Sequence, residues 1–205
     1  MSGGSAGLVV GRLETGRGLH RGGPFDFGLE PGEALQLVGP NGSGKSTLID
    51  TLAGVLPARA GTVRIGDTIW EGPGLATVPP WRRQIGVLFQ GLGLWPHLTV
   101  REQARLVAPG ADPRIERLAQ SLLLTPLLDR KPAHISGGEA QRAALLRALA
   151  PDAPLLLLDE PTSAQHEGTA EVVRDAIFAE LERGKIVVIA AHRGWEGMRK
   201  LGMNP

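Results

Sequence analysis

The run Gly39-Pro40-Asn41-Gly42-Ser43-Gly44-Lys45-Ser46-Thr47 sets two glycines around four residues and follows them with a lysine and two hydroxyls. That spacing suits a chain of phosphates. Glycines let successive backbone N–H groups turn inward around anionic oxygens. The start of a following helix adds unpaired N–H donors and partial positive charge. Lys45 can then reach the terminal phosphates, and the Ser46 hydroxyl can ligate Mg2+. A glycine-rich turn leading into a capped helix would need neither the lysine nor the serine at those places.

Leu155-Leu156-Leu157-Leu158-Asp159-Glu160 is an apolar run ending in two carboxylates. A strand of this kind beside the phosphate loop puts Asp159 near the metal. Glu160 then points at the water that attacks the last phosphate, where a carboxylate can orient that water and accept its proton. Alone, the run would read as a strand capped by soluble acidic residues.

His134-Ile135-Ser136-Gly137-Gly138-Glu139-Ala140-Gln141-Arg142 opens an alanine- and leucine-rich helix. Ser136 with Glu139 three residues later is a capping box, which stabilises a helix start by ~1 kcal/mol. A capping box does not need two consecutive glycines, which cost helix propensity. Glycines at a helix start expose N–H groups to an anion. Both readings can hold at once.

Positioning these groups takes a sheet and several helices. Ala34–Val38, Ile85–Phe89, Leu155–Leu158 and Ile186–Ala190 read as strands, mostly continuous in apolar residues, as expected when a parallel sheet is covered on both faces. Helical patterns fall at Lys45–Ala53, Val100–Val107, Pro113–Leu124, Gly137–Ala150 and Gly168–Arg183. Strands separated by helices give an α/β fold with right-handed crossovers. Thr62–Ile65 and the first thirty residues read as shorter strands of an antiparallel flank, with Phe25 and Phe27 in a strand. The expectation is one domain over 1–205. Its α/β core, a phosphate-loop NTPase core with a mainly parallel sheet, takes 1–90 and 151–205. A helical subdomain is inserted at 91–150.

Composition narrows the function. Cysteine is absent, which excludes disulfides, thiolate metal sites and cysteine nucleophiles. Lys plus Arg number 22 against 21 Asp plus Glu, a net charge of +1, so a general nucleic-acid or membrane-surface binder is not indicated. The 29 glycines and 16 prolines stay below the ~25–30% share that marks low-complexity chains. No segment approaches the ~18–20 apolar residues that span a bilayer. Met1–Gly7 lacks the basic and apolar regions of a signal peptide, so a cytoplasmic protein is expected.

Taken together, the sequence resembles the ATP-binding subunit of an ABC transporter. The phosphate loop, Gln90 after the strand at 85–89, the Ser136–Glu139 signature, the Leu155–Glu160 strand and His192 after the strand at 186–190 occur in that family's order and spacing. The resemblance covers nearly the whole chain, and the signature is its most specific element. It implies ATP bound by residues 39–47. It implies Mg2+ held by Ser46, Gln90 and Asp159, and catalysis by Glu160, Gln90 and His192. It implies a head-to-tail dimer, homomeric or heteromeric, in which Ser136, Gly137, Gly138 and Glu139 meet the ATP of the opposite subunit. Val78–Gln90 and Leu94–Val100 are similar to the importer branch that serves molybdate, iron, polyamine or sugar uptake. That implies transmembrane permease subunits with a helix received in a groove near Trp95 and His97, a substrate-binding protein, and attachment to the inner face of the membrane.

Three departures stand out. The family stacks adenine on an aromatic residue before the phosphate loop, but tyrosine is absent and Gly16–His20 offers no ring except His20. Gln165 and His166 stand where the resemblance implies leucine and aspartate. The family's last strands and carboxy-terminal regulatory domain are not apparent after His192. The alternatives are a nucleotide-gated regulatory module with little turnover and a soluble ABC ATPase acting on nucleic acid. The charge balance and the importer-like segment argue against the second.

Overall fold

The computed structural model describes residues 7–18, 20–192 and 194–203; the signal-peptide expectation for Met1–Gly7 lies almost wholly outside them. Two sheets organise the chain. An antiparallel sheet has the order β2-β1-β4-β5, from β1 (Leu8–Arg17), β2 (His20–Leu29), β4 (Ala60–Ile65) and β5 (Thr68–Glu71). A parallel sheet has the order β6-β7-β8-β3-β9, from β3 (Ala34–Val38), β6 (Ile85–Leu88), β7 (Leu155–Asp159), β8 (Ile186–Ala190) and β9 (Arg199–Gly202). The α helices are α1 (Lys45–Leu52), α2 (Val100–Val107), α3 (Asp112–Ser121), α4 (Gly137–Leu149) and α5 (Glu167–Glu182).

The parallel strands are apolar throughout because each face has its own cover. Leu155 and Leu157 of β7 join Leu48, Ile49 and Leu52 of α1 and Leu8, Val10 and Trp70 of the antiparallel sheet. Leu156 and Leu158 join Val100, Ile115, Leu145 and Leu149 of α2–α4 and Val173 and Ile177 of α5. One residue of register therefore separates two apolar clusters. The helices between β6 and β7 share their cluster with the sheet. Among the described residues no helix is long and apolar enough to cross a membrane.

Four local readings need correction. The flank begins with two ten-residue strands, not shorter ones; register shifts at Leu13 break their apolar alternation. β5 was hidden by its neighbour: Ile65 pairs Thr68 across a two-residue Gly66-Asp67 loop, so the stretch reads as turn. The third helix stops at Ser121, because Leu123 takes φ +55 while Leu122 and Leu124 remain buried. A strand does follow His192. β9 pairs in parallel with β3 at a sheet edge, and its exposed Arg199 and Lys200 gave no apolar signal.

Candidate functional site

The loop after β3 enters α1 through Gly44, whose φ of +90 is left-handed and open to glycine at little cost. Gly44 supplies no side-chain cap, so the first N–H groups of α1 keep their capacity for another acceptor. Beside them the Ser43 hydroxyl is buried without a partner. The Lys45 ammonium donates to the carbonyls of Gly39 (2.8 Å) and Pro40 (2.9 Å), which holds the cation inside the loop. This is a cradle of donors around one positive charge.

β7 brings the carboxylates to the same place. Asp159 is buried and accepts a hydrogen bond from the Ser46 hydroxyl. Burial raises its pKa above the ordinary value, opposed by that bond and by Lys45 and His192. Glu160 follows with φ +53, its N–H donating to the Ala190 carbonyl at 2.8 Å. Its Oε1 has no hydrogen-bond partner and lies 3.4 Å from His192 Nε2. Burial raises the Glu160 pKa too, with His192 the main opposing group. A raised carboxyl beside an unpaired oxygen is what a proton acceptor needs when a water must be bound.

A cavity of about 560 Å³ collects Asn41–Thr47, Gln90, Asp159, Glu160 and His192, within the size range of small-molecule sites. Gly39 and Pro40 stand just behind it as the carbonyls that hold Lys45. Four separate stretches of the chain thus converge. The donor set suits Mg2+: one carboxylate, one hydroxyl and the Gln90 amide, all oxygen-bearing, with a buried negative charge for the ion to offset. Among the described residues no group of three or more acidic or histidine side chains competes as a metal site.

The cavity's remaining wall includes part of the Gly16–His20 stretch in which the resemblance seeks an adenine-stacking ring. Thr15, Gly16, Arg17, His20, Arg21 and Gly22 line it from the β1–β2 hairpin. Arg17 pairs with Asp50 of α1 at 2.9 Å and ties the hairpin to the helix that starts at the loop. Apart from the expectation at Gly16–His20, no sequence motif marks Thr15, Arg21 and Gly22.

Ser136, Gly137, Gly138 and Glu139 do not line this cavity. The capping box is formed: the Glu139 N–H donates to Ser136 Oγ (3.3 Å) and the Ser136 N–H to Glu139 Oε2 (2.7 Å). Hydrogen bonds from the Ser136 N–H and hydroxyl hold the Glu139 carboxyl below its ordinary value. The two glycines differ. A Cβ at Gly138 would meet the Ala164 carbonyl at 2.9 Å, whereas one at Gly137 would meet nothing within 4 Å. Packing within this chain asks for the second glycine and not for the first. His166 is the exposed N-terminal cap of α5 and makes no side-chain cap bond. Gln165, by contrast, is fully engaged with α4.

Comparison with known proteins agrees with this geometry. Residues 23–163 match the family profile described as ABC transporter. The arginine transport ATP-binding protein ArtP of Escherichia coli (strain K12) is 39% identical over 183 residues, 82% of this chain and 75% of that protein. The thiamine import ATP-binding protein ThiQ of Cereibacter sphaeroides is 38% identical over 171 residues, 78% of this chain and 71% of that one. The dimeric structure of MJ0796, a bacterial ABC transporter cassette, superposes with a TM-score of 0.77 at 28% identity, covering 91% of this chain and 88% of the other. A post-hydrolysis form of that cassette, bound to ADP and Pi, gives 0.78. Identity at this level over most of both chains goes beyond a shared fold, and the protein belongs to the ABC transporter family.

Proposed function

We propose that the chain is the ATP-binding and ATP-hydrolysing subunit of a membrane importer. The observation that carries this is the convergence of Lys45, Ser46, Asp159, Glu160 and His192 on one cavity from separate segments. The names of ArtP and ThiQ, one arginine transport and one thiamine import protein, support the importer branch. The backbone donors of 41–47 bind the phosphates, and Lys45 offsets their charge. Bound Mg2+, held by Ser46, Asp159 and Gln90, would add charge neutralisation at the terminal phosphates. Glu160 takes the proton of the attacking water, and His192, 3.4 Å from it, holds that water and carboxylate in line.

The exposed start of α4 completes the site of a second copy, with Gly137 admitting its terminal phosphate. The dimeric MJ0796 cassette supports pairing of this kind. The arm at 91–150 receives the permease: Trp95 is partly exposed and its ring lies over the Arg147 guanidinium, 5.0 Å from the ring centre. The subunit thereby sits on the inner membrane face and works with a substrate-binding protein. Steady-state phosphate release from MgATP tests the reading directly. Release that Glu160→Gln leaves at the wild-type rate would remove it.

A further inference from the structure

Glu160 holds a backbone conformation that an L-residue keeps only where its surroundings impose it. Part of that restraint comes from α4. Gln141, 3% exposed, donates from Nε2 to the Glu160 carbonyl at 2.7 Å and to Ser163 Oγ at 2.9 Å. The Ser163 hydroxyl in turn donates to the same carbonyl at 3.0 Å. Gln141 Oε1 accepts from the Ala164 N–H and from Gln165 Nε2, both at 3.0 Å. Gln165 Nε2 also donates to the Gly138 carbonyl at 2.8 Å, and its Oε1 accepts from Arg142 Nη1 at 2.8 Å. Arg142 Nε is anchored on the Leu122 carbonyl.

The Gln141 amide makes all four of its hydrogen bonds, and Gln165 uses both its N–H donors and accepts once at Oε1. Turning either one over would set an NH2 against N–H donors, so only one orientation of each satisfies the network. The first link is the Gly138 carbonyl, at the helix start that faces outward. The last is the backbone of the carboxylate in the cavity.

We propose that Gln141, held by Gln165, is the positioning residue of Glu160, and that the two amides connect the outward start of α4 to the carboxylate of the same chain. An anion that draws the Gly137–Gly138 peptides outward pulls on Gln165, then Gln141, then the Glu160 carbonyl. Contact made with a second copy is thereby registered at this copy's own cavity. The proposal rests on the reading of Glu160 as the proton acceptor.

The test uses Gln165→Leu and Gln141→Glu in the full chain. Gln165→Leu removes the link to Gly138. Gln141→Glu keeps the acceptor oxygen and loses the donor to Glu160. Each should lower kcat for MgATP by about 10- to 100-fold with KM within about twofold, because a base displaced by an ångström loses turnover and not binding. In a Glu160→Gln background the same substitutions should add no further loss, since they act through that carboxylate. Amide exchange at Ser163 and Ala164, in the loop after β7, should quicken in Gln165→Leu while the parallel sheet keeps its protection. Unchanged kcat in both variants, or equal fold losses in both backgrounds, would overturn the relay. If the wild-type chain hydrolyses no ATP, the functional reading fails and the exchange measurement alone decides the link: unchanged exchange at 163–164 rejects it.

Discussion

Two helix starts in this chain use the same physics to different ends. Each offers unpaired N–H donors and the positive end of a helix. α1 begins at left-handed Gly44 with no side-chain cap, and its donors face a cavity that also holds Lys45. α4 begins with a complete capping box on an exposed surface, where Gly137 meets nothing of its own chain. The first is walled on this chain's side by the loop, the β1–β2 hairpin, β7 and His192. The second is saturated inward and open outward, and on the proposed reading it supplies the remaining wall of a second copy's cavity. A helix start becomes a pocket only when neighbouring elements enclose it.

The largest effect should come from removing the charge at the start of α1. Lys45→Ala removes the cation within the loop, and MgATP affinity should fall at least about 100-fold, as expected for an uncompensated phosphate charge in a partly buried cavity. Titration calorimetry measures it. Equal affinity in mutant and wild type would mean that the cavity is not a phosphate site.

Glu160→Gln should separate binding from turnover. ATP hydrolysis should drop by roughly 10²- to 10⁴-fold, the usual worth of a general base, with MgATP still bound. The variant should also be the more stable of the two without ligand. Burial raises the Glu160 pKa, so its ionised form weakens the fold at pH values above the ordinary carboxylate value of ~4.3. The Tm gain of Glu160→Gln should be present at pH 7 and shrink as the pH is lowered toward 4. A gain that is independent of pH would contradict the burial argument.

The half site is sharpened by its two glycines. Gly138→Ala places a methyl 2.9 Å from the Ala164 carbonyl and should lower Tm by several degrees. Gly137→Ala meets no atom, so Tm should hold or rise slightly. It should nonetheless reduce the dimer fraction seen by sedimentation with MgATP, because the methyl covers the outward donors. Full ATP-dependent dimerisation in Gly137→Ala would show that the α4 start is only a capped helix.

Much of this was legible in the sequence because the chemistry is local. The phosphate loop, the acidic end of β7 and the capping box each lie within nine consecutive residues, and the parallel strands announce themselves by unbroken apolar runs. What stayed hidden depends on contacts between distant residues. Arg17 and His20 join the cavity only because the β1–β2 hairpin packs over α1. Gln165 stands out in the sequence only as a departure and Gln141 only as part of the run that opens α4; their bond at 3.0 Å appears when the loop after β7 packs on α4. β9 was invisible because an edge strand needs only its backbone, and its exposed lysine and arginine carry no periodic signal.

The smallest effect concerns His166. It sits at the cap of α5 with φ −72 and ψ 161, a conformation from which a short polar side chain could reach the first free N–H groups. Its carbonyl already takes the Thr169 and Ala170 N–H groups, but its ring makes no cap bond. Aspartate and asparagine both favour this position, and either should add about 0.5–1 kcal/mol, or roughly 1–4 °C in Tm at this chain length. His166→Asp and His166→Asn therefore serve as a pair. Equal Tm gains confirm the cap, and no gain in either refutes it. The association with MgATP then asks a separate question. If a carboxylate at 166 also accepts donors from a second copy beside the half site, aspartate should raise the dimer fraction above asparagine at matched stability. Identical dimer fractions for the two variants would confine residue 166 to the end of its own helix, and leave α4 as the outward half of the site without help from α5.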